Sequence, residues 1–155
     1  MRLPLLSLPL LLAAPLAAAA PAAAPAPAPA PGLWSVEARV VSIDSERVPP
    51  LVRRMVEGRV ETYERCLGAD EAAAFERLLV ERDATCTFTE RDFANGAMRV
   101  RGRCTSARGS MTLDLAGRHS GDRFSATNRM RLAGALGTVA VTTRHVGSRR
   151  GPCPG

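Results

Sequence analysis

From residue 32 onward, apolar and polar positions alternate in short runs, the period-2 pattern of strands with one dry face and one wet face. Trp34, Val36, Ala38 and Val40 interleave with Ser35, Glu37 and Arg39, which predicts a strand over 32–41. Leu51, Val52, Met55 and Val56 then follow Pro50 at helical spacing, before Gly58. Proline suits the first turn of a helix, where its missing N–H has no partner to lose, so a short helix is expected from Pro50. Residues 59–67 read as a second strand, with Tyr63 and Leu67 on one face and Val60 and Cys66 on the other.

Over 70–82 the period changes. Ala72, Phe75, Leu78 and Leu79 form an apolar stripe, and Glu76 and Arg77 are expected to face water. Asp70 can cap the first free N–H groups, so an amphipathic helix is expected here. From residue 85 the pattern is again pure strand. Segments 85–91 and 97–104 flank Asn95-Gly96, a strong hairpin signal because both residues tolerate positive φ. Segments 110–116, 123–132 and 138–146 follow, with turns expected at 117–121 and 134–137. The predicted fold is therefore β-rich α+β. A curved antiparallel sheet, a five-stranded meander plus two N-terminal strands, carries one amphipathic helix on its concave face.

The start of the chain reads as a targeting segment. Arg2 precedes an apolar run over 3–16, and the alanines at 17–20 offer small-residue cleavage sites, so 1–20 are expected to be a signal peptide. The run is short for a membrane span, which needs ~20 apolar residues. Residues 21–31 alternate Pro with Ala and are expected to form an extended linker, leaving 32–155 as one domain and no transmembrane segment after cleavage. The destination is then periplasmic or secreted. In such an oxidising compartment the four cysteines read as two disulfides that staple the domain. Two schemes fit: Cys86–Cys104 with Cys66–Cys153 is favoured, and Cys66–Cys86 with Cys104–Cys153 is the rival. A strict Asn-Gly turn would place Cys86 opposite Thr105, so the favoured scheme needs an extra residue, expected at the hairpin tip.

All 21 basic residues are arginine, giving a net charge of +6. Residues 21–96 carry 9 arginines and 13 acids, whereas 97–155 carry 11 arginines and 2 acids. Arg99, Arg101, Arg103, Arg129 and Arg131 project from the wet faces of the strands as a candidate surface for anionic partners, such as lipid headgroups. Nucleic acid is a poor partner, because no exposed rings interleave with these arginines and the chain is exported. Trp34, Phe88, Met98, Met111, Phe124 and Met130 point the other way, as core or as the lining of an apolar pocket.

No cysteine pair has C-x-x-C spacing and only two histidines occur, so no metal or cofactor is expected. His119 reads as a turn residue beside a capping Asp122, and His145 as a rim residue of the last strand. His119, Ser120 and Asp122 would be the only hydrolytic constellation, but sequence neighbours seldom form a triad.

The segments PGLW (31–34), TYERCL (62–67) before an acidic-alanine helix, and the ending HVGSRRGPCPG (145–155) occur here in order with the four cysteines. Together they resemble the exported bacterial family catalogued as domain of unknown function 3617. The sequence departs from it at Gly151-Pro152, where an acidic residue usually precedes the cysteine, and at Gly68, where Thr is common. The resemblance implies a periplasmic or secreted β-rich domain and supplies no catalytic residues. The expected function is a non-enzymatic binding or envelope-associated role, through anionic lipid contact at the arginine face. The alternative is a structural or chaperone-like interaction domain without a ligand pocket, and a hydrolase ranks below both.

Overall fold

In the computed structural model, residues 29–69, 75–76, 78–79, 84–107, 109–134 and 137–155 are described. Seven strands form one open antiparallel sheet: β1 (Gly32–Asp44), β2 (Val60–Leu67), β3 (Thr85–Asp92), β4 (Ala97–Ser106), β5 (Gly109–Ser120), β6 (Arg123–Gly134) and β7 (Gly137–Gly151). Across the sheet they run β2-β1-β7-β6-β5-β4-β3. Strands β3 to β7 are the expected meander, and the β1–β2 pair joins it along β7. The helix expected after Pro50 is α1 (Pro50–Val56), in the connection between β1 and β2.

The last three strands are longer than the sequence pattern suggests. Gly117 reads as turn punctuation, yet it lies inside β5 opposite Ala126. A Cβ there would come within 2.6 Å of the Ala126 Cα, so glycine serves a close approach of two strands. The turn begins only at Gly121, and His119 is a strand residue.

The hairpin carries its irregularity in an unexpected place. Asp92 pairs with Arg99, the register of a two-residue Asn-Gly loop, while Cys86 pairs with Cys104. The shift between them lies between Phe88 and Glu90, not at the tip. The tip itself is a 3₁₀ turn over Ala94–Gly96, with φ of 53° at Asn95 and 72° at Gly96. A mid-strand bulge thus satisfies both the turn and the disulfide.

Cys86 is bonded to Cys104 across β3 and β4, and Cys66 at the end of β2 to Cys153 in the tail beyond β7. No helix among the described residues is long and apolar enough to cross a membrane.

One face of the sheet, the inner face, carries the core. Trp34, Val36, Met98, Val100, Leu113, Leu115, Phe124 and Ala126 are buried there, at the inward positions expected from alternation. The amphipathic helix expected over 70–82 lies largely outside the described residues. Of its stripe, Phe75 and Leu78 are buried against the sheet. Leu79 N–H donates to the Glu76 carbonyl over 2.9 Å, an i→i−3 turn. Glu76 does not face water as expected. It is 3% exposed, and its carboxylate meets the Arg91 guanidinium of β3 at 2.7 Å. A carboxylate turned toward the sheet needs such a cation, because burying it unpaired is costly.

Candidate functional site

The inner face divides into a filled half and an open half. Near the start of β1, Phe75 contacts Trp34, Phe124 and Phe93 with ring centroids 5.4, 5.0 and 6.1 Å apart. Gly147 makes room for this cluster, since a Cβ there would overlap the Phe124 ring. Toward the end of β1 the inward positions line a space that none of the described residues fills. Register brings Leu132 of β6 opposite Val139 of β7 and Met111 of β5, with Met130 in the preceding inward row. These side chains, with Tyr63, Leu79 and His145, line a cavity of about 830 Å³. That size falls within the ~300–1,000 Å³ of small-molecule sites, and such sites are mostly apolar with a few polar groups.

The polar groups sit on the floor and one wall. His145 is 5% exposed, and its Nε2 lies 2.8 Å from the Thr143 hydroxyl. Its Nδ1 has no hydrogen-bond partner among the described residues, and neither has the Oδ1 of buried Asn128. Burial lowers the His145 pKa from 6.5 to about 4, so the ring is neutral at pH 7 and carries one donor and one acceptor nitrogen. On the β2 wall, the Tyr63 hydroxyl donates to the Leu78 carbonyl over 3.0 Å. Burial raises the Tyr63 pKa, with Arg65 opposing and Glu61 adding, so the phenol keeps its proton. The site can therefore enclose an apolar body and hydrogen-bond a neutral polar end. Among the described residues no group of three His, Cys, Asp or Glu side chains is placed to hold a metal.

The sequence profile of a family described as "Protein of unknown function (DUF3617)" matches residues 29–153. The chain belongs to this family. No curated protein and no solved structure matches it. DUF3617 membership covers both disulfides and every strand, and it carries no assigned activity.

In this DUF3617 domain the six inward residues singled out from the sequence separate into two roles. Trp34, Met98 and Phe124 are 0–3% exposed and belong to the core. Phe88 is half-buried on β3, with the Arg91 guanidinium 5.6 Å from its ring. Met111 and Met130 line the cavity. Arg99, Arg101, Arg103, Arg129 and Arg131 are all exposed on the outer face. Arg101 is engaged there by Glu90 at 3.4 Å and Asp114 at 3.3 Å, so the strip is not uniformly cationic.

Both histidines depart from expectation. His119 is 6% exposed, with Nε2 2.9 Å from the Phe93 carbonyl at the filled end. Ser120 follows it in the strand and is exposed, so the neighbouring hydroxyl points away from the ring and His119, Ser120 and Asp122 do not assemble a triad. His145 is not a rim residue but the cavity floor. Its parity was readable: it alternates in step with Val139, Val141 and Thr143 along β7. Tyr63 and Leu79 carried no comparable signal, because their meeting depends on the contact of Leu78 with Tyr63 across fifteen residues.

Proposed function

We propose that this domain is a non-enzymatic binding module of the cell envelope, exported by residues 1–20 and carried on the 21–31 linker, that holds an apolar small molecule on its inner face. The cavity between the sheet and Leu79 is the observation that carries this reading. A sheet built only for stability would close that half with large side chains, as Trp34, Phe75 and Phe124 close the other. Met111 and Met130 supply an adaptable lining, and His145 a fixed polar contact. The two disulfides fit an oxidising compartment. Outer arginines with no ion-pair partner among the described residues, Arg103 and Arg131 among them, add attraction to anionic headgroups that salt weakens.

The test is titration with N-phenyl-1-naphthylamine, a fluorescent apolar probe, alongside native mass spectrometry of protein purified from its own envelope. One probe per chain is expected to bind, and Met111→Trp, which pushes a bulky ring into the cavity, to weaken binding roughly tenfold or more. Absence of both probe binding and a co-purified mass would leave an interaction domain without a ligand.

A further inference from the structure

Strand register places the open end of the cavity beside α1. Asp44, the last residue of β1, pairs with Ala140, and at the same end Gly134 pairs with Gly137 and Ser106 with Gly109. Ser106, Gly109, Gly134 and Gly137 all border the cavity. Arg47, just before α1, lies against Gly137: a Cβ there would be 3.3 Å from the Arg47 Nη1. The β1–β2 connection and the cavity mouth are thus neighbours.

This end is also where apolar side chains are left in water. α1 buries none of its residues. Leu51 and Met55, one turn apart on one side of it, are 70% and 72% exposed. Val52, Val41 and Val60 are 42–52% exposed, and Leu132 at the cavity rim is 39% exposed. Among the described residues only one other large hydrophobic side chain, Val146, is exposed. Such clustering marks an interaction surface rather than chance exposure.

Charge selects the kind of surface it meets. Within the connection Arg47, Arg53, Arg54 and Arg59 outnumber Glu46 and Glu57, and Asp44 and Glu61 at the flanking strand ends offset the excess. The bias comes from the outer face, where Arg131 stands in register with Ala140 and with Thr112, and Thr112 with Arg103. Arg103 and Arg131 have no ion-pair partner among the described residues. An apolar tip with adjacent arginines matches a bilayer, which takes Leu51 and Met55 into its acyl boundary and presents anionic headgroups to the guanidinium groups.

We infer that this end of the sheet docks on an anionic phospholipid bilayer, and that the cavity, whose mouth then faces the acyl region, takes up a single lipid acyl chain. The docking rests on α1, the exposed apolar side chains around it and the adjacent outer arginines. The acyl ligand rests in addition on the binding function proposed above.

The experiment is flotation with vesicles of phosphatidylethanolamine and phosphatidylglycerol, paired with transfer of a fluorescent acyl lipid from donor to acceptor vesicles. The wild-type domain is expected to float and to transfer. Leu51→Asp/Met55→Asp is expected to lose vesicle binding roughly tenfold or more and transfer with it, while probe binding in solution stays within about twofold. Met111→Trp is expected to float normally and fail to transfer. Docking is overturned if the wild type does not float, or if the α1 variant floats equally well. It is also overturned if the α1 variant only abolishes self-association, which would make this end a contact between copies. If α1 governs flotation but no acyl lipid is transferred and no probe binds, the ligand reading falls while docking stands.

Discussion

Removing the Cys66–Cys153 bridge tests how the two ends of the domain are held together. The bridge spans 87 residues, and the Cys86–Cys104 bridge spans 18. Closing loops of those lengths removes unfolded-state entropy worth ~4.6 and ~3.2 kcal/mol. The inner bridge lies inside the outer loop, shortening the path to ~70 residues, which lowers the outer value only to ~4.4 kcal/mol. Cys66 is exposed and Cys153 half-buried, so replacing both with alanine adds little packing loss. The expected cost is therefore ~4 kcal/mol, a large part of the ~5–15 kcal/mol that stabilises a domain. Urea unfolding of Cys66→Ala/Cys153→Ala measures it, with a midpoint lower by ~2 to 3 M if the slope is ~1.5 kcal/mol per M. The slope itself is expected to rise, because an unfolded chain without the cross-link exposes more surface. A cost below ~3 kcal/mol, less than the short loop alone should give, with an unchanged slope, would refute the loop-entropy account.

Three further outcomes follow from the packing. His145 titrates at about 4 when folded and near 6.5 when unfolded, so protons bind the unfolded chain first. Its contribution is complete above pH 6.5 and declines as pH falls toward 4, by ~2 kcal/mol at pH 5; His145→Gln is expected to flatten urea midpoints between pH 7 and 5. Gly147→Ala drives a methyl into the Phe124 ring, which is held by Trp34 and Phe75. A loss of ~1–3 kcal/mol is expected in thermal melts, and Phe124→Leu in the same chain should recover part of it. Arg91→Met strips the cation from buried Glu76 and should cost ~3 kcal/mol or more, whereas Arg101→Ala, at an exposed pair, should cost under ~1 kcal/mol by the same measurement.

The alternation of side chains made most of the sheet legible. Of the inward positions in 97–104, Met98, Val100 and Cys104 are buried and Gly102 is half-buried, because a one-residue slip would turn the whole set outward. Glycine misled: Gly117 was expected to turn the chain, and only the facing Ala126 shows why it need not. Glu76 misled for the same reason, since its partner Arg91 arrives from another strand. The cavity was half visible. Met111 and Met130 carry the right parity in the sequence, but nothing local separates a residue that lines a space from one that fills it. The open half also reflects Tyr63 and Leu78, fifteen residues apart, whose hydrogen bond ties Leu78 to β2.

The placement of β7 between β1 and β6 bears on when this chain becomes a folded protein. Strands β3 to β6 zip to sequence neighbours, and β1 can pair with β2 alone. Neither part can join the other until the final strand exists, because β1 meets β7 through pairs as distant as Leu33 with Gly151. The N-terminal hairpin then docks onto β7 through contacts of long sequence separation, a kind that slows folding. Until residue 151 has emerged, the Trp34 side of the core has no sheet to pack against. A chain cut short before β7 would thus be left as two separate sheets, with unpaired edges at β1 and β6.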